Sequence, residues 1–454
     1  MKNMRCFMAT LLSIALLITG GGLAEEADHS AEVVKSYLQM LIDGEYEESE
    51  ALLDETMLAQ LSQGGGTQAF VEVNLYPVIG ELMEVASEPM FAGEAQGFQV
   101  YQAKILTTLG GHTATMYVDS QNLIAGYQII QDVEAAIVMP EGFTETEFTV
   151  DAGGGYPLDG RIVKPSDPSQ LVPCILLIQG SGALDFDEIV GANRIFGKLA
   201  RGLAQRGFAT LRYNKRTNQY PQIMSEKDYS IQTEYMEDVH AAVGMLLEEP
   251  GIDPERIFVL GHSEGGMLAP AFMEADPALA GMILLAGTPR NMLDISVDQS
   301  NSVMDYYNAA GMADVAAAQQ EVIDTIVARK EEVDNYTAEE ALEADPIYNF
   351  TAYYLYSLNQ IDGVKLIQEL AKPTLILQGD NDHQVYADKD FMVYQNALSD
   401  ADFVQMKVYA GLSHLFLPSQ ATNMVDAMNE YYASAEIPAE VFDDIAAWIH
   451  SAQE

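Results

Sequence analysis

Apolar residues follow two different periods in the first part of the chain. From about residue 30 to residue 60 they recur at i, i+4, i+7 and i+8, beginning at Val33, which predicts amphipathic helices. From residue 80 to residue 131 the chain changes to short runs rich in Val, Tyr, Thr and Ile. These runs are separated by turn residues such as Ala92-Gly93, which predicts an antiparallel meander. Residues 28–135 are therefore expected to form a small α+β domain, helices first, with an accessory role.

A different pattern begins near residue 140 and continues to residue 454. Short apolar runs alternate with helical periodicity, as in the strand Phe208–Tyr213 followed by the helix Ile231–Leu247. This alternation predicts an α/β domain with a mostly parallel sheet and helices on both faces. Residues 288–366 interrupt it, since they are rich in Met and Tyr and have no strand pattern. We expect them to form a helical cap over the strand ends, where open α/β sheets bind substrates.

The first 24 residues have the features of a secretory signal peptide. A positively charged start precedes the apolar run Phe7–Thr19, and Gly22-Leu-Ala24 is a small-x-small cleavage site. The run is too short to span a bilayer readily as a helix. Cys6 lies far from the cleavage site, which argues against a lipid anchor. We expect a secreted protein that is not inserted in a membrane once residues 1–24 are removed.

Charge and cysteine content exclude some binding partners and an intramolecular disulfide. The chain carries 22 basic and 68 acidic side chains, a formal net charge of −46. Such an acidic surface repels nucleic acid and anionic membranes, so neither is an expected partner. After loss of the leader Cys174 is alone, which excludes an intramolecular disulfide. Its apolar neighbours, Pro173–Ile178, predict a buried structural thiol.

The pentapeptide Gly261-His-Ser263-Glu-Gly265 carries the clearest chemical signal. It follows the apolar run Ile257–Leu260 and precedes a helical pattern, which is the context of a nucleophile elbow, G-x-S-x-G. The turn strains the backbone of the serine, and the flanking glycines leave room for it so that the hydroxyl projects outward. This context favours a catalytic Ser263 over a chance match in a Gly-rich loop.

A serine hydroxyl is a good nucleophile at neutral pH only with a base within hydrogen-bond reach. We predict that His414 is this base, because it follows the last predicted strand at the sheet edge that also carries the elbow. His262 neighbours Ser263 but is expected to point the opposite way at the turn. The other five histidines lie in the tail after the leader, the accessory domain, helices or another loop: His29, His112, His240, His383 and His450.

The acid that orients the base is expected in the loop Gln378–Val385, which follows the penultimate predicted strand. Asp380 and Asp382 both qualify, and each could instead be a polar turn cap. The order Ser263, Asp382, His414 is the chain order of α/β-hydrolases.

Two backbone amides are expected to bind the negative oxygen of the tetrahedral intermediate. The amide of Glu264 begins the helix after the elbow, where free N–H groups favour negative charge. The loop Gln179-Gly-Ser181-Gly182 follows an early strand, and the amide of Ser181 is the second expected donor. The sequence has no H-E-x-x-H motif, cysteine cluster or Walker loop, so we expect neither a metal nor a cofactor.

Several of these stretches resemble one known family. They are Ile178-Gln-Gly-Ser-Gly182, Asp185-Phe-Asp-Glu188, Leu203–Arg216, Gly261–Pro270 and Gly411-Leu-Ser-His-Leu-Phe416. Together they look similar to exported bacterial serine hydrolases of the α/β-hydrolase fold, a group of esterases and serine-aminopeptidase-like proteins. In that group a small N-terminal domain of unknown function often precedes the hydrolase, and residues 28–135 look similar to it.

The resemblance implies that Ser263 is the nucleophile, Asp382 the acid and His414 the base. Two residues depart from the family pattern. Gln179 stands where many relatives carry His, which is expected to alter the support of the oxyanion loop. Asn214 stands where Asp is common, which is expected to loosen an ion pair near Arg212 or Arg216.

Three functions are compatible with these observations. The leading one is a secreted carboxylesterase that cleaves small or medium esters through an acyl-enzyme on Ser263. A peptidase that acts on short peptides would use the same residues, with the acidic cap holding an amino group. The third is a cell-surface binding protein built on an inactive hydrolase.

Overall fold

A computed structural model describes residues 26–63, 65–95, 97–108, 110–132 and 137–452. The predicted leader, residues 1–24, lies outside them. Within these ranges no helix combines the length and the apolar character needed to cross a bilayer. The chain forms two compact units.

The first unit comprises the described residues up to 132 together with 191–193 and 428–434. The two later segments were not expected from the sequence. The helices of the first 132 residues are α1 Glu26–Asp43, α2 Tyr46–Ser49, α3 Glu55–Gln63, α4 Gly66–Phe70 and α5 Tyr76–Ile79. The strands are β1 Leu82–Val85, β2 Met90–Ala95, β3 Phe98–Thr107, β4 Gly110–Val118 and β5 Ile124–Gln131.

The sheet of this unit is antiparallel, as predicted, but it is not a simple meander. Both β1 and β2 pair with β3, which continues through β4 to β5. The predicted turn at Ala92-Gly93 is wrong. Gly93 lies inside β2, where the register with β3 shifts after Phe91. A glycine inside a strand therefore marks a bulge here.

The α/β unit begins after the first sheet, and its elements alternate along the chain. The strands from residue 137 onward are β6 Phe143–Val150, β7 Leu158–Pro165, β8 Val172–Ile178, β9 Ile189–Val190, β10 Asn193–Arg194, β11 Ala209–Tyr213, β12 Ile252–His262, β13 Gly281–Leu285, β14 Thr374–Gly379 and β15 Val404–Tyr409. The helices are α6 Ile195–Ala204, α7 Arg216–Gln219, α8 Glu237–Leu246, α9 Glu264–Ala275, α10 Met292–Ala309, α11 Ala313–Asp334, α12 Ala338–Glu343, α13 Ala352–Asn359, α14 Gly363–Leu370, α15 Met392–Leu398, α16 Met424–Glu430 and α17 Ala439–Ser451.

Eight strands form the main sheet, in the order β15-β14-β13-β12-β8-β11-β7-β6. The strands from β15 to β11 are parallel, and β7 and β6 are antiparallel. The predicted α/β class is confirmed. The central strands are apolar without alternation because helices cover both faces, and Cys174–Ile178 is buried throughout. The carboxyl ends of β8, β12, β14 and β15 therefore meet at one edge.

Five helices, α10 to α14, separate β13 from β14, where the sequence predicts a cap over 288–366. They have their own apolar cluster, formed by Leu293, Ile326, Val333, Ile347 and Leu355. The helix predicted over Ile231–Leu247 begins with a π-helical turn, Gln232–Met236, before α8. This turn places Glu234 and Tyr235 side by side in the interior.

Candidate active site

The backbone of Ser263 is strained at the junction of β12 and α9. Its φ is 53° and its ψ is −115°, a conformation that non-glycine residues seldom adopt. Both flanking glycines are required. A Cβ at Gly261 would lie 2.0 Å from the oxygen of Gly265, and one at Gly265 would lie 2.4 Å from the oxygen of Ile178. The serine is half-buried, and the amide of Glu264 begins α9 beside it.

Asp382 and His414 form a buried pair on the loops after β14 and β15. The Nδ1 of His414 lies 2.8 Å from Oδ2 of Asp382. The same carboxylate accepts hydrogen bonds from the side chain of Gln378 at 2.8 Å and from the amides of Gln384 and Val385 at 2.8 and 2.9 Å. With Nδ1 donating, Nε2 of His414 is the ring nitrogen that can accept a proton.

Asp380 has a different position from Asp382. It is exposed, and its Oδ1 accepts a hydrogen bond from the amide of Gly411 at 2.6 Å. Asp380 thus caps the turn that leads to His414. Of the two aspartates that the sequence left open, Asp382 is the one that contacts the imidazole.

His262 connects the elbow to the loop of the predicted base. Its Nε2 lies 2.9 Å from the main-chain oxygen of His414, and its Nδ1 lies 3.0 Å from Oε1 of Glu188. Both partners have acceptor oxygens, an arrangement that favours the doubly protonated, charged ring. Burial acts to lower the pKa of His262, but the Glu188 carboxylate and the His414 carbonyl outweigh it and raise that pKa above its ordinary value.

The oxyanion loop, Gln179–Gly182, is held through both main-chain groups of Gly180, its amide and its carbonyl oxygen. Its amide donates to Oε1 of Glu188 at 2.8 Å. Its carbonyl oxygen lies 2.9 Å from both Nζ of Lys215 and the hydroxyl of Tyr235. Because the amide of Gly180 is already bound, the amide of Ser181 is the next donor that this loop can offer to a substrate oxygen.

The two departures from the family pattern have local explanations. The side-chain amide of Gln179 donates to the main-chain oxygens of Tyr213 and of Asp185, the latter at 3.0 Å, and so supports the loop. Asn214 accepts from the amide of Phe186 at 2.8 Å.

Both nearby arginines have carboxylate partners although position 214 carries an amide, and the loosening of these pairs by Asn214 stays a prediction. Arg212 pairs with Asp187 at 2.9 Å and with Glu145 at 2.6 Å. Arg216 pairs with Asp238 at 2.5 Å and with Glu237 at 2.9 Å.

The remaining described histidines have structural partners, and His29 on α1 lies 3.9 Å from Glu32. His240 lies 2.6 Å from Asp276 at the surface, and His383 lies 3.2 Å from the oxygen of Ala421. His112 is buried in the first unit, where burial lowers its pKa. His450 packs its ring against Phe208.

Three residues that connect the loops of this site were not predicted from the sequence: Glu188, His262 and Lys215. His262 was expected to point away, and the other two lie in stretches quoted for the resemblance with no role given. All three are charged or polar and at most 3% exposed. Such burial is rare without a partner, but the sequence does not show which partner each side chain meets.

Within the described residues no group of three or more His, Cys, Asp or Glu is arranged to hold a metal ion. The polar groups around Ser263 are amides and an imidazole, which donate, and carboxylates, which accept, and they already bind one another. Their arrangement supports proton transfer from a hydroxyl and stabilisation of an oxyanion.

A parallel sheet, a strained serine elbow at its edge and an Asp–His pair on the last two strand ends define a serine hydrolase with the α/β-hydrolase fold. Residues 192–419 match the family described as "Serine aminopeptidase, S33", and the chain belongs to that family. The resemblance to serine hydrolases of the α/β-hydrolase fold is thereby confirmed, and the protein is an enzyme.

Similar proteins include esterases. Esterase EstD of Thermotoga maritima is 26% identical over 91% of this chain and 93% of that protein. Among solved structures, Est1E from Butyrivibrio proteoclasticus is 15% identical, with a TM-score of 0.42 over 68% of this chain and 98% of its own. An esterase from Pyrobaculum calidifontis is 17% identical, with a TM-score of 0.41 over 68% of this chain and 86% of its own. Scores this low do not indicate an activity.

Proposed function

We propose that the protein is a carboxylesterase that cleaves small or medium esters through an acyl-enzyme on Ser263. The observation that carries the proposal is the Asp382–His414 pair, which the hydrogen bond from His262 holds beside the elbow. The name of the Thermotoga relative, Esterase EstD, supports the same reaction.

In the proposed reaction, the hydroxyl oxygen of Ser263 bonds to the ester carbonyl carbon while its proton passes to Nε2 of His414. The electron pair of the carbonyl moves to its oxygen, which the amides of Ser181 and Glu264 stabilise. When this intermediate collapses, the bond to the alcohol breaks and His414 returns the proton to the leaving oxygen. Water then attacks the acyl-enzyme by the same route, which releases the acid.

Asp382 keeps the imidazole in the required tautomer and stabilises its charged form. Its four hydrogen-bond donors, counting His414, keep the carboxylate fixed while the imidazole gains and loses its proton.

The test compares the wild-type protein with Ser263→Ala on a panel of p-nitrophenyl esters of increasing acyl length. We expect hydrolysis of the shorter esters, and its loss in the variant. Ser169→Ala, in the exposed turn before β8, is the matched control and should keep wild-type activity. Equal rates for wild type and Ser263→Ala would contradict the proposal.

The family description makes a peptidase the second candidate, and a cavity in the cap region bears on it. A cavity of about 530 Å³ lies between α10 and the loop after β14, lined in part by Asp298, Asp305, His383 and Lys389. An amino group would need a free carboxylate there. Asp298 is already paired with Arg290 at 2.8 Å and with Lys389 at 2.7 Å, whereas Asp305 is exposed and is the carboxylate that an amino group would meet there. Amino-acid p-nitroanilides, run beside the esters, separate the two candidates.

We also propose that the protein is exported and cleaved after Ala24. The motif Gly22-Leu-Ala24 supports this proposal. N-terminal sequencing of the protein recovered outside the cells should begin at Glu25. An intact N-terminus on protein retained inside the cells would contradict it.

A further inference from the structure

Lys215 is a buried lysine whose ammonium group lies behind the oxyanion loop. Its side chain is 1% exposed. Its Nζ lies 2.9 Å from the oxygen of Gly180, 2.6 Å from the hydroxyl of Tyr235 and 3.0 Å from Oε1 of Glu234. An ammonium group has three N–H donors, and these three acceptors use all of them. The position of the charge is therefore fixed.

Glu234 is the carboxylate that pairs with this lysine. The carboxylate also accepts from the hydroxyls of Thr217 at 2.9 Å, Tyr229 at 2.6 Å and Tyr354 at 2.7 Å. Burial acts to raise the pKa of Glu234, but Lys215 and the tyrosine hydroxyls outweigh it and lower that pKa. A buried ion pair gives little stability relative to apolar residues of the same volume. Stability alone therefore does not account for a lysine at this position.

The geometry of the peptide bond connects Lys215 to the predicted oxyanion donor. The Gly180–Ser181 peptide is planar and trans, so its carbonyl and the amide of Ser181 point in opposite directions. The carbonyl is bound to Lys215, and the amide consequently faces the other way. Gly180 packs against the elbow, since a Cβ there would lie 3.0 Å from Cβ of Ser263.

We propose that Lys215 is a positioning residue, which orients the Gly180–Ser181 peptide and polarises it so that the amide of Ser181 donates more strongly to the oxyanion. A hydrogen bond to a charged donor is roughly twice as strong as a neutral one, and bonds in a chain strengthen each other by about 10–30%. The inference rests on the proposed function, because it assigns a role in stabilising the same tetrahedral intermediate.

The same group of side chains reaches the second predicted donor. The hydroxyl of Tyr235 lies 2.6 Å from Nζ of Lys215 and 2.9 Å from Oε2 of Glu264. Glu264 is the residue whose amide begins α9. Lys215 and Tyr235 thus connect the two segments that would hold the oxyanion, one after β8 and one after β12.

The test compares Lys215→Met/Glu234→Gln with Glu234→Gln, so that Glu234 is not left as a buried carboxylate without its lysine in the double variant. We expect kcat on a p-nitrophenyl ester to fall by about 10–100-fold while KM stays within about twofold. An alkyl trifluoromethyl ketone forms a tetrahedral adduct with the serine, and its inhibition constant should rise in parallel. In ¹³C NMR of the labelled adduct, the pKa of its hydroxyl should rise, an effect that a merely structural role does not produce.

Lys198→Met is the matched control. Lys198 is also buried and donates to a main-chain oxygen, that of Ala435, and its replacement should leave kcat and inhibition unchanged. If the double variant does not fold, Tyr235→Phe removes one acceptor of Lys215 and should lower kcat several-fold at constant KM.

Two results would overturn the inference in distinguishable ways. If the wild type is active and the folded variants have unchanged kcat and inhibition constants, only the role of Lys215 is contradicted and the proposed function stands. A wild type that neither hydrolyses the ester nor binds the ketone contradicts the proposed function and this role with it.

Discussion

The imidazole of His262 donates to the main-chain oxygen of His414 across 2.9 Å, from the residue immediately before the predicted nucleophile. Its other nitrogen donates to Glu188, which also accepts from the amide of Gly180. One buried ring and one carboxylate therefore tie together three loops: the oxyanion loop, the elbow and the loop of the predicted base. These loops follow β8, β12 and β15, and no two of them are consecutive in the chain.

This arrangement predicts that His262 affects the rate of the reaction more than the binding of the ester. We expect His262→Phe/Glu188→Gln to lower kcat at least about 10-fold with KM nearly unchanged, because small displacements of catalytic groups are costly. The paired replacement avoids a buried, unpartnered carboxylate. Steady-state kinetics measure both constants, and an unchanged kcat in a folded variant would show that the connection has no catalytic role.

The same pair predicts a dependence of stability on pH. The pKa of His262 is raised above its ordinary value of 6.5 in the folded protein. Its contribution to stability is therefore complete below about pH 6.5 and is lost as the pH rises through the folded-state pKa. Denaturant unfolding from about pH 6 to about pH 9 should show wild type and His262→Phe/Glu188→Gln converging as the pH rises. A difference that stays constant over this range would contradict the charged state of the ring.

The two aspartates after β14 should respond differently to replacement by asparagine. Asp382→Asn is expected to lower kcat by about 10⁴, because the amide favours the wrong imidazole tautomer. Asp380→Asn should stay within a few-fold of wild type, because the new amide oxygen can still accept from Gly411. Parallel kinetics of the two variants decide the assignment. A larger loss in Asp380→Asn would reverse it.

Cys174 should be unreactive in the folded protein. Its side chain is fully buried in β8, and burial raises the pKa of the thiol well above its ordinary range. The thiolate is the reactive form, so both access and chemistry protect it. With Cys6 replaced by serine, Ellman's reagent at about pH 8 should detect no thiol in native protein and one after denaturation. Rapid reaction of the native protein would show that the thiol of Cys174 is accessible to the reagent and is not buried.

Much of the α/β unit could be predicted because its signals are local. Buried parallel strands are apolar without alternation, and the G-x-S-x-G elbow needs glycines at fixed offsets, so Ser263 and the sheet edge follow from short stretches. The order of strand ends then indicates Asp382 and His414. The roles of Ser263, Asp382, His414, Ser181 and Glu264 stay predictions until they are tested by substitution.

What could not be predicted depends on contacts between distant residues. Glu188, His262 and Lys215 act through partners as many as 152 residues away, the separation of His262 and His414. A polar side chain in a loop is normally exposed, and its burial becomes evident only when the loops are placed against each other. In the first unit, Gly93 was expected to form a turn because a glycine that marks a bulge has the same local signal as one that ends a strand.

Labelling of the purified protein with a fluorophosphonate, followed by mass spectrometry of its peptides, tests whether Ser263 is an activated nucleophile. A serine activated by a base beside an oxyanion hole reacts with this reagent, whereas ordinary serines do not. We expect one label per chain, on Ser263, and none in Ser263→Ala. A folded wild-type protein that takes no label, or takes it on another residue, would contradict this expectation.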